Sequence, residues 1–268
     1  MEVDFLHVSA FTSVPGGGNP AGVCQFDAWP SDDVLTAIAR EVALPVTACI
    51  ACVGGRMELR WISMAGTFVQ SMCGHGTLAA SCVVASEHPE WDSFAFHTSG
   101  GLVPVRRDGD MFLLSLPKWP STPVGVDPAL ADALGCRPTE VHDAGRDLIA
   151  IYPDEEIVRR LAPDMNKLRA LGKRGFIASA QGREFDCVSR FFCPSFGIGV
   201  DEDPVTGSAH CSIAPLWAQK LGRSRLRAHQ ASAVGGELLC DVSPDAVTIG
   251  APAVILKRGS INIPPGRR

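Results

Sequence analysis

The sequence predicts a mixed α/β (α+β) protein made of two related halves, and three observations carry that expectation. Two similar helix starts lie about half the chain apart. One is Ser71-Met72-Cys73-Gly74-His75-Gly76-Thr77 and the other runs from Gly197 to His210; each is polar and glycine-rich and leads into an apolar run. Short runs with strand composition, bounded by glycine, proline and Asp-Gly signals, alternate with runs of helical period. The stretch from Pro117 to Pro128 holds four prolines and reads as a linker. The halves expected are residues 1–117, completed by a strand near 253–262, and residues 118–250.

Met1 to Ala10 alternates well enough to be a strand, with Val3, Phe5 and Val8 apolar. Ser13 to Pro20 is a turn-rich loop whose three glycines either cradle a ligand or simply connect two strands, the second being Ala21 to Phe26. Ser31 to Val42 reads as a helix: Ser31 as cap, acids in the first turn, and Val34, Leu35, Ile38 and Ala39 on one face. Strands follow at Leu44 to Val53 and Met57 to Ser63, the latter with Trp61 as a large anchor. After the Cys73–Thr77 turn and its helix come strands at Phe94 to Thr98, Gly101 to Arg106 and Met111 to Leu116.

Beyond the linker the order repeats. Helices are expected at Pro128 to Leu134, Glu155 to Leu161 and Met165 to Leu171, and strands at Asp147 to Tyr152, Gly175 to Ser179 and Phe185 to Phe192. Then come the acidic turn, the helix through Leu221, and closing strands at Ala246 to Ile249 and Ala253 to Lys257. Internal identity is low, so the repeat is one of layout. Arg267 and Arg268, after Pro264-Pro265-Gly266, read as a frayed tail.

Composition narrows the function classes. A chain of 268 residues, 46% hydrophobic and 20% charged, is that of a well-cored globular protein long enough for two domains. A net charge of −5 with no basic run argues against a nucleic-acid partner. No apolar run approaches the ~18 residues of a membrane helix, and no signal peptide is seen, so a cytoplasmic setting is expected. The ten cysteines are scattered and read as reduced thiols filling core space. Cys49-Ile50-Ala51-Cys52 fits a Cys-x-x-Cys template but lies in a strand-like run, where residues three apart face opposite ways; core cysteines are the better reading.

The stretch Glu202-Asp203-Pro204-Val205-Thr206-Gly207-Ser208-Ala209-His210 carries the chemistry. Proline in a first helical turn, Thr206 as cap and small residues behind it mark a helix start. Such a start offers free backbone N–H groups and a positive dipole end, which suit a carboxylate or other small anion. The plain alternative is an acidic loop capping an ordinary helix. Two anion-holding helix starts also suggest a site shared by the halves.

At this point the sequence resembles the PhzF-like (phenazine biosynthesis-like) family, a branch of the diaminopimelate epimerase-type fold. The resemblance runs nearly end to end. It rests on Gly18-Asn19-Pro20-Ala21-Gly22-Val23, Leu59-Arg60-Trp61, Cys73-Gly74-His75-Gly76-Thr77, Ser189-Arg190-Phe191-Phe192, and the Glu202–His210 stretch with Gln230-Ala231-Ser232 and Gly235-Gly236 beyond it. It implies two pseudo-symmetric domains, each a curved, mostly antiparallel sheet around a central helix, with the site in a cleft to which both helices point their N-termini. It further implies a homodimer, a small-molecule carboxylate substrate, no metal or organic cofactor, and proton movement next to an activated carbon.

Residue by residue, the resemblance makes His75 the site histidine, Asp203 the site aspartate and Ser208 the serine that helps hold substrate. Asn19 and the backbone of Gly74, Gly76 and Gly207, with Thr206, would line the same pocket. The family's general base is a glutamate in a Ser-Glu-Thr-Ala-Phe-like segment, and here that segment reads Pro45-Val46-Thr47-Ala48-Cys49. Val46 cannot accept a proton. Val234 likewise stands where an arginine is expected in a Ser-x-Arg-Gly-Gly-like element.

Three readings follow. The first is an isomerase in which Asp203, with a raised pKa in a water-poor cleft and helped by His75, acts as base. Cys73, at a helix start, is a further candidate for epimerase- or dehydratase-like chemistry, although Thr206 where such an epimerase has its other cysteine argues against a two-thiol racemase. The second reading is an inactive carboxylate-binding or regulatory protein, and the third an interaction scaffold. Retention of Asp203, His75 and Ser208 favours the first. Each candidate has a plain alternative: Asp203 as a helix-terminal charge contributing about 0.3–1 kcal/mol, His75 as a satisfied turn histidine, Cys73 as a small core residue. His210 is expected to face away from the site. An unsaturated cyclic amino acid of specialised (antibiotic) metabolism is the substrate class the family suggests.

Overall fold

A computed structural model describes residues 1–70, 72–172 and 174–263; Ser71, the polar head of the first helix start, and the expected tail at Arg267 and Arg268 lie outside the described residues. The chain forms two compact units, Met1–Ser115 with Gly250–Arg268 and Leu116–Ile249.

Unit 1 contains β1 (Glu2–Ala10), β2 (Asn19–Phe26), α1 (Asp32–Val42), β3 (Val46–Val53), β4 (Arg56–Ser63), β5 (Phe68–Val69), α2 (Gly74–Glu87), β6 (Ser93–Thr98), β7 (Gly101–Asp108) and β8 (Met111–Pro117). Unit 2 contains β9 (Thr122–Val124), α3 (Pro128–Leu134), β10 (Glu140–Asp143), β11 (Asp147–Ile151), α4 (Glu155–Arg160), α5 (Met165–Ala170), β12 (Gly175–Gln181), β13 (Cys187–Phe192), β14 (Glu202–Asp203), α6 (Gly207–Leu221), β15 (Arg225–Gln230) and β16 (Gly236–Val242). The final strand, β17 (Ala246–Asn262), returns to unit 1 and pairs antiparallel with β1.

The repeat of layout is a repeat of strand pairing. In unit 1, β1–β2 is antiparallel, β2–β3 parallel, β3–β4 and β4–β5 antiparallel, β4–β6 parallel and β6–β7 antiparallel. Unit 2 runs through the same succession with β10–β11, β11–β12, β12–β13, β13–β14, β13–β15 and β15–β16. Antiparallel pairs therefore dominate in both units, and each parallel step is spanned by a helical crossover, as parallel pairing requires. Helix α1 bridges β2 to β3 as α4 and α5 bridge β11 to β12. Helix α2 follows the short β5 as α6 follows the short β14.

The two kinds of helix differ in how they are buried. Helix α1 is amphipathic and lays Leu35, Ile38, Ala39 and Val42 on the sheet, where they join Val3, Cys24, Cys49 and Ile62. Helix α2 is buried almost all round, from Gly74 to Ser81 and again at Val83 to Ala85, and α6 from Gly207 to Ala214 with Leu216 and Trp217. Helices apolar on every side are core helices, and short residues let the surrounding strands approach them. In unit 2 a second core gathers Leu130, Leu134, Val141, Tyr152, Val158, Leu168, Phe176 and Phe192. Among the described residues no helix is long and apolar enough to cross a membrane.

Several local expectations are corrected. Ser31 and Thr206 hold the N-cap positions of α1 and α6, but neither side chain makes a cap hydrogen bond; Asp127, Asp154 and Asp164 do so for α3, α4 and α5. Pro204 precedes the α6 cap rather than sitting in the first turn. The proline-rich run is not structureless, because Thr122–Val124 pairs with β10. The two closing strands are one 17-residue strand, β17; Pro252 lies just past the last rung with β1, Ala10↔Ala253, where no ladder N–H is asked of it, and its carbonyl accepts from the Thr12 N–H. All ten cysteines are free, but Cys52 is exposed whereas Cys49 is buried, so only one of the pair is a core residue.

Candidate active site

In unit 1 the candidate groups collect at the start of α2. Cys73 is the N-cap residue in extended conformation (φ −131°, ψ 96°), and its side chain makes no cap hydrogen bond. Thr77 turns inward and donates its hydroxyl to the Cys73 carbonyl at 2.7 Å, so the first turn is tied to its own entry. His75 is buried, and its Nδ1 lies 3.6 Å from Cys73 Sγ. A thiol and an imidazole at that distance can exchange a proton. Gly76 is required by space: a Cβ there would lie 2.8 Å from Trp61 Cδ1 and 3.1 Å from both Cys73 Sγ and Val46 Cγ1. Val46, 2% exposed, thus presents methyl groups to this turn.

Asn19 is fully buried at the head of β2, a strand against which α2 packs. Gly18 before it has φ +70°, and a Cβ there would meet the Ala10 carbonyl oxygen at 2.1 Å. The glycine-rich loop is therefore a tight close approach of two strands at this residue.

In unit 2 the groups collect at the start of α6. Asp203 ends β14 opposite Phe191 and is 4% exposed. The Thr206 hydroxyl, free of capping duty, donates to Asp203 Oδ2 at 2.6 Å. Gln230, wholly buried at the end of β15, fastens this loop three ways. Its Nε2 donates to the Asp203 carbonyl (2.7 Å) and to Thr206 Oγ1 (3.1 Å), and its Oε1 accepts from the Thr206 N–H (2.8 Å). Ser232 Oγ donates to the Pro204 carbonyl at 2.8 Å and closes the same turn. The carboxylate is thereby fixed from its backbone and one oxygen at the start of α6, whose N-cap residue Thr206 makes no side-chain cap hydrogen bond.

Ser208, the second residue of α6, accepts from Arg146 Nη1 at 3.1 Å. Arg146 and Asp147 join the candidate site in the structure, and the sequence does not single them out. Their only signal is a charged pair opening an apolar strand, Gly145-Arg146-Asp147-Leu148. Gln230 stands out in the sequence only as part of the Gln230-Ala231-Ser232 run.

Neighbouring titratable groups are silenced by burial. Cys193, beside Asp203, has its thiol pKa pushed well up by burial and then by the Asp203 charge. His210 is fully buried, and burial lowers its pKa to about 4. It is neutral at neutral pH, so its Nδ1 carries the proton donated to the Thr206 carbonyl at 2.9 Å. It ties the first turn of α6 together from inside. Val234 is 52% exposed. Among the described residues no three His, Cys, Asp or Glu side chains are grouped to hold a metal ion.

Residues 8–259 match the model of the phenazine biosynthesis-like proteins (PhzC-PhzF). An uncharacterized isomerase of Pseudomonas aeruginosa is 39% identical over 264 residues, covering 98% of this chain and all of that protein. The crystal structure of a PhzF-family protein from Enterococcus faecalis superposes with a TM-score of 0.90 at 32% identity, over 98% of this chain and 100% of the other. A structure described as a predicted epimerase, also from Pseudomonas aeruginosa, has a TM-score of 0.72 at 15% identity over 98% and 100% of the two chains, which extends the likeness in fold to epimerase-type proteins. With a match of this extent, the chain belongs to the phenazine biosynthesis-like (PhzF) family.

Proposed function

We propose that this protein is a cofactor-independent isomerase that moves a proton, and with it a double bond, along a small unsaturated carboxylate. The observation that carries the reading is the buried Asp203 carboxylate, oriented by the Thr206 hydroxyl and locked by Gln230 at the start of α6. One base serving one face suits a double-bond shift: Asp203 takes a proton from the carbon next to the unsaturated system and returns it at the far end of the allylic unit, with no net gain or loss. The N–H groups and Ser208 at the helix start favour the negative charge that develops meanwhile. His75 and Cys73 form a second acid–base pair at the start of α2. Val46 takes the place of the family glutamate in this reading, which is why the duty falls to Asp203. The substrate class is an unsaturated cyclic amino acid of specialised metabolism, and the setting a cytoplasmic homodimer.

Proton NMR in deuterated water tests it. Unsaturated amino and hydroxy acids are incubated with the protein, and enzyme-dependent loss of an allylic or α-proton signal is followed. Asp203→Asn abolishes the exchange while leaving the fold intact; full exchange in that variant refutes the assignment. A second reading, epimerase- or dehydratase-like chemistry on Cys73, has its own observation in the 3.6 Å thiol–imidazole contact, and exchange lost only in Cys73→Ala would establish it. Binding without exchange would leave a carboxylate-binding protein.

A further inference from the structure

Arg146 stands one residue before the first rung of the parallel β11–β12 pair, Asp147↔Gly175. In unit 1 the corresponding first rung is Ala21↔Val46, and the residues before it are Asn19 and Pro20. The repeated pairing thus brings Arg146 to the place at the strand head in unit 2 that Pro20, next to Asn19, holds in unit 1.

The guanidinium is held as a built feature. Nε donates to both Asp147 oxygens (2.9 and 3.1 Å) and Nη2 to Oδ2 (2.5 Å), a side-on fork with a carboxylate that is 1% exposed. Nη1 donates to Ser208 Oγ. Aromatic rings surround it, with centroids 4.8 Å (Trp119), 5.8 Å (Phe191) and 5.9 Å (Phe196) from the guanidinium carbon. Space for this is made by Gly175, where a Cβ would lie 2.3 Å from Asp147 Oδ1 and 2.6 Å from Phe191 Cζ.

A purely structural ion pair would be closed off, and this one is not. Those bonds engage three of the five N–H donors of Arg146, and the side chain is 28% exposed although its partner is buried. Two donors remain, one on each terminal nitrogen, next to the Ser208 hydroxyl. That hydroxyl accepts from Arg146 and has its own proton to give. A planar fork with a hydroxyl beside it is the arrangement that takes a carboxylate in two parallel bonds.

We propose that Arg146, positioned by Asp147 and Ser208, is the carboxylate receptor of the α6 site and selects planar acids over their neutral isosteres. The proposal rests on the reading of α6 as the substrate-binding end and deepens it by naming the group that recognises the acid. Asp147 is a positioning residue. It fixes the orientation of the fork, and the rings of Trp119, Phe191 and Phe196 flank it.

Calorimetric titration with pyrrole-2-carboxylate and with its neutral amide, pyrrole-2-carboxamide, tests this. The wild-type protein binds the acid in preference to the amide. Arg146→Met weakens acid binding by about tenfold to a hundredfold, as loss of a charged hydrogen-bonding partner does, and erases the preference. Arg146→Lys keeps the charge without the fork and recovers only part of the acid affinity. Because Arg146→Met leaves the Asp147 carboxylate buried and unpaired, Arg146→Met/Asp147→Leu is measured alongside; it removes both charges together.

An acid preference that survives in the folded double variant overturns the proposal, as does a wild-type protein that binds neither compound. The proton-exchange measurement separates the two claims. Exchange in the wild type with the acid preference intact in the variants removes only the role of Arg146. Arg146-dependent acid binding without any exchange removes the isomerase reading and leaves the receptor.

Discussion

Replacing Gly175 by alanine probes how tightly the Arg146–Asp147 arrangement is built. In an unconstrained strand this substitution stabilises by about 0.4–1 kcal/mol, since alanine has less chain entropy to lose. Here the added methyl would lie 2.3 Å from Asp147 Oδ1 and 2.6–2.8 Å from the edge of the Phe191 ring. Neither neighbour is a free end: the carboxylate is clamped by Arg146, and the ring is 2% exposed in the β13 core. Overpacking of this kind costs about 1–3 kcal/mol, and moving Asp147 off its fork adds part of the about 3–5 kcal/mol of a broken buried pair. A net loss of about 3 kcal/mol lowers Tm by roughly 10 °C for a unit of this size. Differential scanning calorimetry reads it, with Gly125→Ala as control because nothing lies within 4 Å of a Cβ there. A Gly175→Ala melt at or above that of the wild type would refute the claim that glycine is needed for space.

Two further outcomes are expected. The folded-state pKa of His210, about 4, lies below its ordinary 6.5 because burial disfavours the imidazolium. The unfolded chain therefore binds the proton first: stability is full above pH 6.5 and falls by about 3 kcal/mol as pH drops towards 4. Urea melts at pH 7.5, 5.5 and 4.5 should show that fall in the wild type and a flatter profile in His210→Gln. Val46→Glu puts a carboxyl at a position 2% exposed, against the first turn of α2. It adds little proton-exchange rate in the NMR assay if the site works through Asp203, and a large gain of phenazine-type isomerisation would count against that assignment.

What the sequence determined was set by local patterning. The period of Leu35, Ile38 and Ala39 marks α1 as an amphipathic helix, and the two small-residue turns before α2 and α6 announce buried helices because only short side chains allow such close surroundings. Family-specific runs around Cys73 and Asp203 carried the epimerase-type fold. Other elements escaped local reading. Strand β15 carries Arg225, Arg227 and His229 on alternate positions, so its apolar face of Leu226 and Ala228 is too short to register. Strand β14 has two residues, and its existence depends on pairing with Phe191 and Phe192.

The tertiary structure alone decided who touches whom. Thr206 sits where a cap is expected, yet its hydroxyl turns to Asp203, and Gln230, 24 residues away, holds the Thr206 N–H and hydroxyl in that turn. Arg146 meets Ser208 across 62 residues of chain, and only the repeated strand pairing brings the head of β11 to the start of α6. Periodicity is a property of neighbours in sequence and survives without a fold. A hydrogen bond between distant residues comes into being only when the sheet register places both ends, and the chemistry of this protein is built from bonds of the second kind.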